Sequence, residues 1–480
     1  MKFISLQILL LGLLVAICPA APPTDNEPSG AYYDWTKTKL PEKPYFHQYD
    51  QTLVYKMLLA EKMIGGKDCK VDLTFAQTLD VIKRIDVITC GAPKIVYVAG
   101  WQYNGHDSKY PALGEVNERL KRPEDKTALD SLKWLITEGK KYHTTVSLHI
   151  CMIEANEDSP LWKEYLEKDI IAKDKQGRPL KGEVYGSLEI YKLPLAERDA
   201  LSPRVVALGG QQSYNVSYAR EWETGETQKL IDGLLAMLPE LKDGHTIHID
   251  AFHNYPPIPF AYAGNLYTNY DRSFNGISPY LGYTAEKEAA AQRKIFRYFR
   301  DKHQMDVTCE GSTFLRFDPF VGLQPMAYHY GGPTVPPKLY CGTPFERAET
   351  IILNDPKKLG GFLDMFCLSG VPFIWANHWR HDDDTNQPQA ADWTKVMQGG
   401  DICIPLTWKK EKTLLAYSRS GYANKTWNLS DEWKTVKSAT ATRIASDGSN
   451  TEDAGTMEIK DGQLALSLKA GEALELVATK

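Results

Sequence analysis

Cysteine is scarce in this chain and is never spaced for a metal. Of eight Cys in 480 residues, one is Cys18; the other seven are Cys69, Cys90, Cys151, Cys309, Cys341, Cys367 and Cys403, with no CxxC pair among them. A disulfide framework or a zinc ribbon is therefore not expected, and most of these thiols read as small buried hydrophobes. A single bridge such as Cys69–Cys90 stays open. Also missing are HExxH, the GxSxG elbow, a P-loop with its lysine and the GxGxxG fingerprint. Their absence removes the usual signatures of zinc proteases, α/β-hydrolases, nucleotide triphosphatases and dinucleotide enzymes. Positive charge is not in surplus: 56 Lys+Arg face 61 Asp+Glu, a net charge of −5, which argues against a nucleic-acid partner. Beyond the N-terminus no apolar run approaches the roughly 18–20 residues of a membrane span, and no solenoid repeat is visible.

What is present begins with an export signal. Lys2 supplies the charge, Ile4 to Ile17 the apolar core, and Cys18-Pro19-Ala20-Ala21 the small residues for cleavage. Residues 1–20 read as a signal peptide, so a secreted or periplasmic protein is expected. The bulky Ile17 argues against a lipid anchor on Cys18. Residues 21–44, polar and rich in Pro, read as an extended leader. The remainder, 43% hydrophobic and 24% charged over the whole chain, can build a sizeable core. Its 26 Tyr and 11 Trp fit a large core, or a surface that stacks on sugar rings.

Residues 45–398 alternate strand and helix. Helix periodicity runs from Thr74 to Ile88, Lys126 to Tyr142, Thr227 to Leu238 and Thr284 to Asp301. Between these lie the strand candidates 94–101, 145–150, 246–252 and 306–311, with weaker ones at Ile170–Ala172, Arg204–Leu208, Leu323–Tyr328 and Val371–Ala376. The pattern predicts an α/β fold, a (β/α)8 TIM-type barrel. From residue 399 to 480 short alternating runs with turns at Asp461-Gly462 and Ala470-Gly471 predict a small C-terminal all-β domain of sandwich type.

Barrel active sites lie at the C-terminal ends of the strands. The run Thr246-Ile247-His248-Ile249-Asp250 closes on a carboxylate there. Sixty residues later Asp306-Val307-Thr308-Cys309-Glu310 does the same. Two carboxyls on neighbouring strands are what a glycosidase needs: Asp250 as nucleophile and Glu310 as acid/base. The bland alternative for each is a cap or an ion pair. His106 and Asp107, in the loop after the 94–101 strand, are suited to sugar hydroxyls. Trp101 and Tyr103 are candidates to stack beneath a ring, and His149, with Glu154 beyond it, sits at another strand end. His248 reads as a satisfied interior histidine. Trp375, Asn377 and His378, after the last strand candidate, suit substrate binding. The His and Asp run that follows them reads as a solvated loop, so no resident metal and no cofactor are expected.

Gly105-His106-Asp107-Ser108 after a strand, then strand–Asp250, helix and strand–Glu310-Gly311, resembles the catalytic barrel of glycoside hydrolase family 101 over residues 90–330. Those enzymes are endo-α-N-acetylgalactosaminidases acting on mucin-type O-glycans. The resemblance implies that Asp250 is the nucleophile, Glu310 the acid/base, and His106 and Asp107 the sugar binders of the cleavage subsite. This chain is much shorter than those enzymes, and its 253–282 loop, studded with aromatics, is longer. The expected function is a retaining α-glycosidase for GalNAc or galacto-configured glycans. The rivals are an α-glycosidase or transglycosidase of other specificity, a non-catalytic carbohydrate-binding protein, and an adhesion protein acting through its β domain.

Overall fold

The computed structural model describes residues 45–63, 69–173, 177–179, 181–185, 211–250, 252, 276–278, 283–310, 327–328, 345–347, 356–378 and 399–479. The signal peptide, the leader, the 204–208 strand and most of the 253–282 loop lie outside them.

Seven parallel strands form one sheet. They are β1 (Leu53–Leu58), β2 (Lys94–Ala99), β3 (Thr144–Cys151), β4 (Thr246–Asp250), β5 (Asp306–Glu310), β6 (Ala327–Tyr328) and β7 (Phe345–Arg347). Spatial order follows chain order from β1 to β6, and β7 returns to pair with β1. That is the order of a barrel wall. The helices between the strands include α1 (Phe75–Ile88), α2 (Ala128–Gly139), α3 (Tyr218–Glu223), α4 (Glu226–Met237) and α5 (Ala285–Arg297). The first two start for a local reason. Thr74 caps α1 in a capping box with Gln77, and Thr127 does so for α2 with Asp130. The buried faces of these two helices, including Leu79, Ile82 and Ile85 on α1 and Leu132, Leu135 and Ile136 on α2, join one continuous core with the strands.

Two expectations about strands are corrected. Residues 371–376 are helical: α6 (Pro356–Met365) passes through a π-helical turn, Phe366–Gly370, into α7 (Val371–His378). A short apolar run buried all round has the same pattern as strand or helix. Here the chain stays helical from Pro356 through the π-helical turn, and Val371 keeps helical backbone angles, so Pro372 follows that turn within one continuous helical segment. Residues 170–172 contribute only an isolated bridge, Ile171 to Val216. No cysteine among the described residues forms a disulfide, so the Cys69–Cys90 bridge is not made.

The C-terminal strands β8 (Asp401–Pro405), β9 (Thr413–Ser418), β10 (Tyr422–Asn428), β11 (Ser438–Ile444), β12 (Thr451–Lys460), β13 (Gln463–Leu468) and β14 (Glu472–Ala478) form a seven-stranded antiparallel sheet. Ile402, Ile404, Leu415 and Tyr417 join the core of the parallel sheet and its helices, while Leu414, Trp427, Trp433 and Leu476 form a second one. The sheet is tied to the helical layer by Arg419 to Asp364 and by the Trp408 indole N–H to the Cys90 carbonyl at 3.2 Å.

Two buried carboxyls hold α3 in place. Glu221 accepts from the Tyr165 hydroxyl and, at 2.8 Å, from Thr227. Glu288, on α5, accepts from the Ser217 hydroxyl and from the Ala219 amide at 3.0 Å. Burial raises both to about 7, more than their hydrogen bonds lower them. A carboxyl raised on folding binds its proton more tightly in the native state. Its contribution to stability is therefore present at low pH and is lost as pH rises from the unfolded value near 4.3 towards about 7. Urea unfolding at about pH 5 and about pH 8 should show Glu288→Gln gaining on the parent by up to roughly 3 kcal/mol at the higher pH. An equal difference at both pH values would contradict this.

Candidate active site

The inward face of the sheet is built in rows, because parallel strands in register point paired residues the same way. Lys56 pairs with Tyr97, Tyr97 with Ser147, and Thr246 with Asp306. The Ser147 hydroxyl donates to the Thr246 carbonyl at 2.6 Å and so joins the two halves of the row. One step towards the C-terminal ends, His149 pairs with His248 and His248 with Thr308. At the rim Cys151 pairs with Asp250, the last residue of β4. Glu310, the last residue of β5, follows the Cys309–Ile249 pair by one position. The two carboxylates named from sequence thus end neighbouring strands at the same level. The Glu310 side chain lies outside the described residues, as do Gly311 and Ser312.

A column of rings rises through the interior to this rim. Tyr97 and His248 have centroids 5.1 Å apart, His248 and His149 5.2 Å, and His149 and His106 5.3 Å. Hydroxyls fix its lower part: the Tyr97 and Thr246 hydroxyls meet at 2.6 Å, and His248 Nδ1 meets the Thr308 hydroxyl at 2.9 Å. At the top, His149 Nε2 lies 3.3 Å from Asp250 Oδ2, and His106 Nδ1 lies 2.9 Å from Asp107 Oδ1. His106 Nε2 is buried and has no hydrogen-bond partner. His106, His149 and Asp250 also form a group whose ligand atoms lie within 4.8 Å of one another.

Glycine lets the His106 loop reach the site. A Cβ on Gly100 would stand 2.1 Å from the Ala60 carbonyl oxygen, and one on Gly105 2.7 Å from it; both residues have positive φ. That close approach lets the His106 amide donate to the same carbonyl at 2.8 Å. Asp107 then turns left-handed, with φ 58°, a conformation short polar side chains tolerate, and its amide donates to the Tyr110 hydroxyl at 3.1 Å.

The other sequence candidates fare differently. His106, Asp107, His149 and Asp250 come together. Trp101 does not present a face to a ligand: it is fully buried, and its indole N–H donates to the His149 carbonyl at 3.0 Å. It supports β3 from behind. Tyr103 is also buried, with Lys109 over its ring at 5.3 Å, so that face is taken. Trp375, Asn377 and His378 lie on α7, which packs by the turn Tyr49–Gln51 that leads into β1; Gln51 donates to the Ile374 carbonyl at 3.1 Å. That is the opposite end of the strands from Asp250, so these residues do not join the site. The Asn377 side chain is outside the described residues.

Lys56 was missed. It is buried in β1, and its charge acts on His106. A lone Lys within the apolar run Leu53-Val54-Tyr55-Lys56-Met57-Leu58 is the signal that could have found it. His248 is interior as expected, yet it belongs to the ring column beneath the site rather than to an isolated core contact.

Residues 68–182 match the sequence model of a family described as endo-alpha-N-acetylgalactosaminidase. The chain resembles glycoside hydrolase family 101. The matched stretch holds His106, Asp107 and His149 and ends before Asp250. Among solved structures, α-N-acetylgalactosaminidase NagBb from Bifidobacterium bifidum in its GalNAc complex is 12% identical, with a TM-score of 0.39, over 59% of this chain and 37% of that one. Amy13B from Eubacterium rectale is 10% identical, with a TM-score of 0.40, over 91% and 97%. Trehalose-6-phosphate hydrolase from Bacillus licheniformis is 10% identical, with a TM-score of 0.37, over 91% and 100%. The chain thus spans less than two fifths of the Bifidobacterium enzyme.

Burial works against a charged His106, but the Asp107 carboxylate outweighs it through its charge and its hydrogen bond, so the ring's pKa stands above the usual histidine value. Replacing Asp107 with Asn should therefore lower the His106 pKa, read from the pH dependence of its ring signals by NMR. An unchanged titration would show that Asp107 does not hold the proton there.

Proposed function

We propose that this protein is an exported retaining α-glycosidase, with a (β/α)8 barrel over residues 45–398 and a smaller β domain over 399–480. Asp250 is its nucleophile and Glu310 its acid/base. The observation that carries the reading is the register of β4 and β5, which ends both strands on a carboxylate at one level. Neighbouring strands lie about 4.8 Å apart. A retaining pair needs its carboxyls about 5–5.5 Å apart, whereas an inverting pair needs at least about 6.5 Å to admit a water. Adjacent strand ends suit the first spacing.

In this mechanism Asp250 attacks the anomeric carbon and a glycosyl ester forms. Glu310 gives its proton to the departing oxygen, then takes one from the water that cleaves the ester. His149, 3.3 Å from Asp250 Oδ2, orients the nucleophile. His106 and the Asp107 carboxylate stand side by side to hydrogen-bond adjacent sugar hydroxyls, the carboxylate as acceptor. The family resemblance over residues 68–182, which holds that pair, supports an α-linked GalNAc or other galacto-configured sugar in the cleavage subsite, and a glycan as the partner.

With a nitrophenyl α-GalNAc or α-galactoside, Asp250→Asn should lower kcat at least about a thousandfold, the scale on which loss of a nucleophile acts. Glu310→Gln should be hit harder on substrates with poor leaving groups than on activated ones, because it removes proton donation. NMR of the first product should show the α-anomer. Full activity in both variants, or a β-anomer, would overturn the assignment. A parent protein that binds but never turns over these sugars would establish the carbohydrate-binding alternative.

A further inference from the structure

We propose that the same site binds one divalent transition-metal ion of the zinc class through His106, His149 and Asp250, and that this ion keeps the glycoside out. The three residues come from the loop after β2, from β3 and from β4, which are successive strands of the sheet. Each offers one ligand atom, and these atoms lie within 4.8 Å of one another. Ligands held about 2.0–2.1 Å from a tetrahedral zinc stand roughly 3.3 Å apart. His149 Nε2 and Asp250 Oδ2 already stand 3.3 Å apart.

His106 completes the set. Asp107 engages its Nδ1 at 2.9 Å, which leaves Nε2 as the ring's ligand atom, and Nε2 is buried without a hydrogen-bond partner. A carboxylate on the far nitrogen of a histidine is the usual second shell of a metal ligand, because it sets the tautomer and makes the ring a better donor. Two nitrogens and one carboxylate oxygen suit zinc, cobalt, nickel or copper, and not calcium or magnesium, which take oxygen. The carboxylates of Asp107 and Asp250 offset the charge of an ion, against the opposing charges of Lys56, which acts on His106, and Lys62, which acts on Asp107. Three protein ligands also leave a coordination position for water.

Metal binding stands on this geometry alone. Its consequence rests on the glycosidase reading: an Asp250 that ligates an ion cannot attack a sugar, so ion and glycoside compete.

Chelator-treated full-length protein should take up one equivalent of Co2+ with visible ligand-field absorption, and one equivalent of Zn2+ by calorimetry. Affinity should fall at least about tenfold in His106→Gln, in Asp250→Asn and, through His106, in Asp107→Asn. The three substituted positions are not fully buried, and circular dichroism checks that each variant is folded. In the active enzyme Zn2+ should raise KM and leave kcat unchanged. Absence of stoichiometric uptake, or uptake indifferent to all three substitutions, overturns the metal site while leaving turnover untouched. A protein that binds the ion normally but hydrolyses no glycoside overturns the functional reading and leaves the metal site standing.

Discussion

The hydrogen-bonded register of β4 against β3 and β5 is the constraint on which the site depends. It pairs His149 with His248 and His248 with Thr308, and so brings Asp250 to the rim beside Cys151. Side chains alternate along a strand, so a slip of one residue would turn His248 and Asp250 into the helical layer and bring Ile247 and Ile249 inside. The two isoleucines, both fully buried in the core, oppose that slip through burial. Each is worth on the order of 1.5–3 kcal/mol when removed from water. The apolar half of the strand thereby positions its polar half.

The polar interior has its own logic. The inward faces of parallel β/α sheets are usually filled by branched apolar residues, yet the inward rows of this sheet carry Lys56, Tyr97, Ser147, Thr246, His149 and His248. Such groups are tolerated only where hydrogen bonds replace water. The Tyr97–Thr246, Ser147–Thr246 and His248–Thr308 contacts meet that need. Their directionality restricts the rings more than apolar packing would. His149 is held from below by the His248 ring and at its carbonyl by Trp101, and its imidazole reaches Asp250 as part of a stiff column.

The parts of the fold that were legible in sequence are those with local causes. Thr74 and Thr127 announce helix starts because a cap acts within three residues. Lys94–Ala99 and Thr246–Asp250 announce strands because β-branched runs bounded by breakers have few other outcomes. The residues that misled did so for want of local information. Val371 to Ala376 is apolar enough for either helix or strand, and continuity with the preceding helix decided it. Trp101 and Tyr103 have the chemistry of a sugar platform, but which of their faces stays open is settled by a carbonyl on β3 and a lysine in the same loop.

Sequence by itself determined the alternation of strand and helix, the two strand-end acids and the His106–Asp107 pair with the glycines beside it, because each follows from neighbours along the chain. Tertiary structure alone decided that His106, His149 and Asp250 meet at the strand ends, that Lys56 and His248 belong beneath them, and that Trp375 and His378 lie at the other end of the parallel sheet. The reason is physical: those relations depend on strand register and on what covers each ring. Both are set by contacts between residues tens to hundreds of positions apart.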